Sequence, residues 1–307
     1  MNISNSAYID LKKLGILKRS NVLKHFNETR DSKKIKVLKD KKLGFFFLNK
    51  SLENKKIINS SWKEIIEYKN KIFSNTKVGN KIFKTLHLKT FSNENLLRSK
   101  RFKSNFTKKK RVLDFGCGWG DFLVLLSKKN NKIMYGVEQR KQCLKILNKK
   151  KKFIIKENLD FNDIKFDTIT LFHVLEHIHN PIELLNSLSK VLKKNGSIII
   201  ETPSADDILL KFNIKEFNKF TFWSEHLILY NEFLIRHLLN FCGFNNLKFF
   251  YHQRYDFSNH LGWLIKRKPG GHLFYKNLMK NKLKNEYQKF LIENKITDTL
   301  SVVAKKY

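Results

Sequence analysis

Val112-Leu-Asp-Phe-Gly-Cys-Gly-Trp-Gly120 is the stretch on which the fold of this chain turns. Val112–Phe115 is a short apolar run that reads as a buried strand, and the apolar positions of Phe122–Leu126 begin a helix after it. Gly116, Gly118 and Gly120 leave the backbone bare between the two, so a ligand can lie against it. The N-terminus of the following helix offers unpaired N–H groups to an anion. The spacing argues against a dinucleotide fingerprint, because G-x-G-x-x-G would place its third glycine at 121, where Asp121 stands. Two carboxylates frame the turn. Asp114 stands two residues before the first glycine, and Glu138 ends Met134-Tyr-Gly-Val-Glu138, 22 residues after Gly116. A carboxylate at the tip of a second strand can take both hydroxyls of a ribose in a bidentate grip.

Outward from this turn, strands and helices alternate. Ile133–Val137 and Phe153–Ile155 read as strands separated by a Lys-rich helix around Gln142–Asn148. Phe166–Phe172 reads as the next strand. Pro181 opens a helix with the apolar stripe Ile182, Leu184, Leu185, Leu188, Val191 and Leu192, ended by Asn195-Gly196. Ser197–Ile200 is a fifth strand. The alternation predicts a doubly wound, mostly parallel α/β sheet. Leu247–Tyr251 and Leu300–Ala304 read as a final antiparallel pair, and the segment between them is too long for a plain hairpin loop, so it carries structure or function of its own. On the amino-terminal side, Ile35–Leu48 reads as a hairpin turning at Asp40–Gly44, and a helix begins near Ser61 and continues toward Leu97.

The G-x-G-x-G turn with Asp114 before it resembles motif I of class I S-adenosylmethionine-dependent methyltransferases. Phe166-Asp-Thr-Ile-Thr-Leu-Phe-His-Val-Leu-Glu-His-Ile-His-Asn-Pro181 is similar to the fourth-strand motif of that superfamily. The H-V-L-E-H subgroup there includes many small-molecule and sugar methyltransferases. The likeness is tight over roughly residues 110–205 and looser to Asp298–Lys305, which looks like the family's last strand. It implies a seven-stranded Rossmann-like sheet and a site for S-adenosylmethionine. In that site Asp114, Gly116, Cys117, Gly118 and Gly120 face the methionine end, Glu138 the ribose, Leu159 and Asp160 the adenine, and His173 the methyl group. Leu159-Asp160 departs from the family's common acidic-plus-small pattern.

His173, His177 and His226 are the candidate catalytic residues, all after strand ends where open α/β sheets bind ligands. Three readings stand. His177 and His179 are structural caps of the turn; or His226 or His173 is a general base for a hydroxyl proton; or His173, Glu176, His177 and His226 hold a divalent metal, resembling the E-x-x-E-H site of some RNA and quinol methyltransferases with His173 in place of the first Glu. No metal is assigned on the sequence alone. A late cluster, Gln253–His260 with Trp263 and Lys268–His272, reads either as a packed surface loop or as a lid that contacts a polar ring.

The sequence thus divides into an arm or cap at 1–107 and a methyltransferase domain at 108–307 with a lid-like insertion at about 256–295. The expected reaction moves a methyl group to oxygen or carbon of a small polar acceptor, a sugar, nucleotide-sugar or glycan being favoured, with RNA and quinols as the alternatives. The net charge of +35 invites a polyanion partner. However, Arg supplies only nine of the 62 basic residues, and the Lys, Asn, Ile and Phe enrichment follows A- and T-rich codons. Nucleic acid is therefore not favoured. No apolar run reaches the ~18–20 residues of a membrane span, no signal peptide is evident, and three scattered cysteines make neither a disulfide framework nor a zinc site. A cytoplasmic protein is expected.

Overall fold

The computed structural model describes residues 2–52, 93–130, 133–161, 163–275 and 281–307. The strands in chain order are β1 (Val22–Phe26), β2 (Val37–Asp40), β3 (Phe46–Leu48), β4 (Val112–Phe115), β5 (Met134–Val137), β6 (Phe153–Lys156), β7 (Phe166–Phe172), β8 (Leu192–Pro203), β9 (Ile228–Leu229), β10 (Phe244–His252) and β11 (Thr299–Lys306). Seven of them form one sheet in the order β10-β11-β8-β7-β4-β5-β6. β4 runs parallel to β5 and β7, β5 runs parallel to β6, and β10 is antiparallel to β11. This is the expected doubly wound, mostly parallel sheet with an antiparallel closing strand. Its central strands read as continuous apolar runs because both faces are covered: all four residues of β5 and Thr168–Leu171 of β7 are buried.

The chain folds as two compact units. One comprises Leu52–Thr170 and Lys190–Ser197 and contains β4, β5, β6 and most of β7. Tyr135, Phe161 and Phe166 meet edge-on at 5.3–6.0 Å in its core. Asp167 ties the start of β7 to its surroundings, accepting the Arg111 backbone N–H at 2.8 Å and pairing with Lys193 at 2.9 Å. The helix expected from Ser61 falls outside the described residues over most of its length; residues 93–101 are helical.

The other unit comprises Met1–Ser51, Leu171–Ser189 and Ile198–Tyr307. The hairpin at 35–48 is present as β2 and β3, with Val37 opposite Leu48. Asp40 builds its turn by accepting the N–H groups of Lys42 and Leu43 at 3.0 and 2.8 Å. β1 and β9 extend the hairpin to a four-stranded sheet, which the sequence did not announce because β9 is two residues long. The helix from Pro181 stops at Val191, four residues before Asn195, and Leu192 already begins β8.

The segment between β10 and β11 does carry structure of its own. The helices Phe257–Lys266, Gly271–Phe274 and Asn281–Glu293 fill it. Gly271 is obligatory here: a Cβ on it would lie 2.1 Å from the Ser258 carbonyl oxygen and 2.7 Å from the Gly262 nitrogen. Trp263, whose cluster reads in sequence either as a packed loop or as a lid, is 3% exposed and packs on Phe217 and Phe220 at 5.2 and 5.0 Å. Its place is in the core because its ring has more to gain from burial than from solvent.

Candidate active site

The glycine turn after β4 is held from below. The N–H groups of Gly116 and Cys117 both reach the Val137 carbonyl oxygen, at 2.8 and 3.0 Å, and the Gly120 N–H closes on Cys117 O at 2.9 Å. Gly116, Gly118 and Gly120 have φ of 73, 57 and 74°, a region closed to most side chains. The turn is therefore fixed by geometry that only this glycine spacing permits. Asp114 is 4% exposed and accepts the Thr170 hydroxyl at 2.6 Å. Burial pushes its carboxyl up to about 7, against the opposing pull of Thr170 and Arg98. A cationic group placed beside it would restore the charged form. Cys117 and Cys143 lie buried close by, with burial raising both thiols, Cys143 to about 11, so neither is a nucleophile at neutral pH.

Glu138 sits at the tip of β5 beside the same turn. Its Oε2 accepts the Gly118 N–H at 2.8 Å. Its Oε1 accepts the Arg140 backbone N–H at 2.9 Å, and the Arg140 fork adds Nε to Oε1 and Nη2 to Oε2, each at 3.0 Å. Burial alone would raise this carboxyl, but the Arg140 bonds and charge outweigh it and hold Glu138 below its usual range. The glycine turn, Asp114 and Glu138 thus come together in one unit, as the sequence implied. Asp160 lies after β6 and pairs with Lys156 at 3.1 Å; Leu159 beside it is partly exposed. Thr170 and Arg140 were not foreseen. The β-register gives the first, since Asp114 stands opposite Thr170; the second is a basic residue two positions beyond a strand-end acid.

The histidines come together in the other unit. Glu176 and His177 lie on a single turn of 3-10 helix after β7, and the Glu176 carbonyl oxygen takes the Leu227 N–H at 2.8 Å, which brings the His226 loop alongside. The rings of His177 and His226 are 4.8 Å apart, edge to face. His177 Nδ1 lies 2.9 Å from the Glu225 carbonyl oxygen. That oxygen can only accept, so Nδ1 carries a proton, and Nε2 on the other side of the ring lies 4.0 Å from Glu176 Oε1. One ligand atom each from Glu176, His177 and His226 lie within 4.8 Å of one another. Glu176 is fully buried; Thr202 donates to its Oε2 at 3.2 Å, and its Oε1 lies 3.4 Å from His173 Nδ1 and 4.0 Å from His177 Nε2. Burial would raise this carboxyl, but His173 and His177 hold it at about 2. His226 is pushed down to about 3 by burial first and by the neighbouring His177, so it is neutral at physiological pH.

His173 differs from both. Its φ of 55° is fixed by an N–H bond of 2.7 Å to the Glu201 carbonyl oxygen. Its ring lies between two carboxylates, 3.4 Å from Glu176 Oε1 and 3.5 Å from Glu201 Oε1, with Arg254 Nη1 at 3.2 Å. Burial and the Arg254 charge lower its basicity, but the bonds to Glu176 and Glu201 outweigh them and favour its proton. Glu201 was missed by the sequence reading, though one signal marks it: an acid closing the apolar run Ser197–Ile200. His252 and Ser301 complete its surroundings, at 3.1 Å each from Glu201 Oε2. His179 bonds Ser6 at 2.5 Å and serves the structure.

Residues near the amino terminus buttress these loops. Asn5 caps the helix Ser6–Leu11 and donates to both the Leu48 and Leu227 carbonyl oxygens at 2.9 Å. Asp31 accepts the Ser224 N–H at 3.0 Å, and Arg30 stacks on Trp223, 4.4 Å from its ring centroid. This amino-terminal segment therefore helps to fix the Trp223–His226 loop. No helix among the described residues is long and apolar enough to cross a membrane.

Known proteins agree with the motifs. A family model described as a methyltransferase domain matches residues 90–248, just over half of the chain. An uncharacterized protein of Methanocaldococcus jannaschii is 34% identical over 143 residues, covering 46% of this chain and 67% of that one. A tRNA U34 carboxymethyltransferase of Sulfurimonas denitrificans is 35% identical over 117 residues, 35% of this chain and 38% of the relative. The mitochondrial ubiquinone biosynthesis O-methyltransferase of Dictyostelium discoideum is 32% identical over 110 residues, 30% and 34% of the two chains. The two relatives with named activities are thus matched over little more than a third of their length. The chain belongs to the methyltransferase-domain family, whose methyl donor is S-adenosylmethionine.

Proposed function

We propose that this enzyme methylates a hydroxyl oxygen of a small polar acceptor, with a sugar or glycan as the favoured class. The donor's methionine end is assigned to Asp114, Gly116, Cys117, Gly118 and Gly120, its ribose to Glu138 and its adenine to Leu159 and Asp160. The bare turn and the buried carboxyl at Asp114 suit a ligand that carries both a carboxylate and an ammonium group. When bound, the sulfonium supplies an electrophilic methyl group. The chain's own contribution is to align an acceptor oxygen and to remove its proton.

The observation that carries this reading is the His177–His226 pair beside Glu176. His177 turns its Nδ1–H to the Glu225 carbonyl oxygen at 2.9 Å and its Nε2 toward the buried Glu176 carboxylate at 4.0 Å, an arrangement suited to passing an acceptor proton through Nε2. His173, flanked by two carboxylates, already favours its proton and suits positioning better than proton removal. A second reading is favoured by the same atoms. Glu176 is fully buried, and one ligand atom each from it, His177 and His226 lie within 4.8 Å of one another, an N/N/O set that fits a divalent cation able to activate the hydroxyl. Sugar and quinol acceptors are both compatible with either reading.

Transfer of labelled methyl to panels of nucleotide-sugars, glycans, quinols and tRNA separates the acceptor classes. The expected result is labelling of a hydroxyl-bearing small molecule. Labelling of tRNA alone, with binding that weakens steeply as salt rises, would overturn it.

A further inference from the structure

The carboxylate assigned to the ribose is already full. A carboxylate offers about four lone-pair sites, and Glu138 has four donors: the Gly118 N–H at 2.8 Å, the Arg140 N–H at 2.9 Å, and Arg140 Nε and Nη2 at 3.0 Å each. A ribose diol brings two more O–H donors, so two of the present four have to leave. The backbone N–H groups are fixed, one in the glycine turn and one two residues after Glu138, whose own N–H is tied to Lys156 O at 3.0 Å. The Arg140 fork is the movable pair, on a side chain 27% exposed. It also lies across the bared face of the turn, since Nη2 is 3.1 Å from where a Cβ on Gly118 would stand.

We propose that Arg140 is a displaceable occupant of the donor site. Its fork competes with the ribose hydroxyls for Glu138, which weakens the binding of donor and of demethylated product alike and sets how fast the product leaves. This rests on the reading of Glu138 as the ribose anchor. An arginine that only oriented Glu138 for the ligand would act in the opposite sense, because removing it would then weaken binding. The two roles are separated by the sign of one measurement.

The probe is S-adenosylhomocysteine, titrated calorimetrically at pH 8 into the wild-type protein and into R140M, R140K and E138Q. The pH keeps Glu138 ionised once its arginine is gone. R140M is expected to bind about tenfold more tightly, which is one unit of log Kd. R140K, which keeps the charge but loses the planar fork, falls between. Raising salt should tighten the wild type relative to R140M, because the ion pair is partly exposed and screened. Equal or weaker binding by R140M, with R140K agreeing, overturns the competition while leaving the ribose reading intact, provided E138Q still loses affinity. Wild-type affinity in E138Q overturns the ribose reading, and the competition with it.

Discussion

Replacing Glu138 with Gln lowers the affinity for S-adenosylhomocysteine by about a hundredfold or more. Two charge-assisted hydrogen bonds to a diol contribute about 1.5–3 kcal/mol each, and every ~1.4 kcal/mol is a factor of ten in Kd. Gln keeps the shape but offers a single oxygen, and its amide presents hydrogens to the Gly118 N–H, where the carboxylate accepts at 2.8 Å. The variant also leaves Arg140 without its anion, so part of the loss is offset by a weaker competitor. Calorimetry at matched pH reads the affinity, and an unchanged circular dichroism spectrum shows that the turn has not collapsed. A Kd within threefold of wild type would remove Glu138 from the donor site.

The second large effect is on turnover. His177→Ala is expected to lower kcat by about 10²–10⁴, the range of a general base, while S-adenosylhomocysteine affinity stays within about twofold. The Nδ1 contact to the Glu225 carbonyl and the approach of Nε2 to the buried Glu176 carboxylate are the basis of this expectation. Chelation then divides the two chemical readings. If the wild type keeps its rate after exhaustive treatment with EDTA, His177 acts as a base; if activity is lost and returns with a divalent cation, Glu176, His177 and His226 act as ligands. Unchanged kcat in His177→Ala would exclude both.

The parts of the molecule that were legible in its sequence are those governed by local rules. β4, β5, β6 and β7 were readable because the parallel strands are short, largely apolar runs between turn and helix signals, and the glycine turn because three positive-φ residues tolerate few alternatives. Asp114 and Glu138, the carboxylates proposed for the donor site, stood out by their spacing from the glycine turn. What stayed hidden depends on long-range partners. β9 is too short to have a period, and Asn5, Asp10 and Asp31 find their partners at Leu227, Ile182 and Ser224, far along the chain. Trp263 stayed open between packing and ligand contact until its partners Phe217 and Phe220, some 40 residues earlier, were known. Glu201 was missed because the eye follows the apolar run and not its end, and Arg140 because its role is defined only by the carboxylate it fills.

Hydrogen exchange of backbone amides, followed with and without S-adenosylhomocysteine, addresses the donor site at the level of individual segments. Protection is expected in two places, Gly116–Gly120 and Glu138–Arg140, with little change in the helices between β10 and β11. Saturating ligand that left both segments exchanging at their free rates, or that protected a different part of the chain instead, would contradict the placement of the donor on the glycine turn.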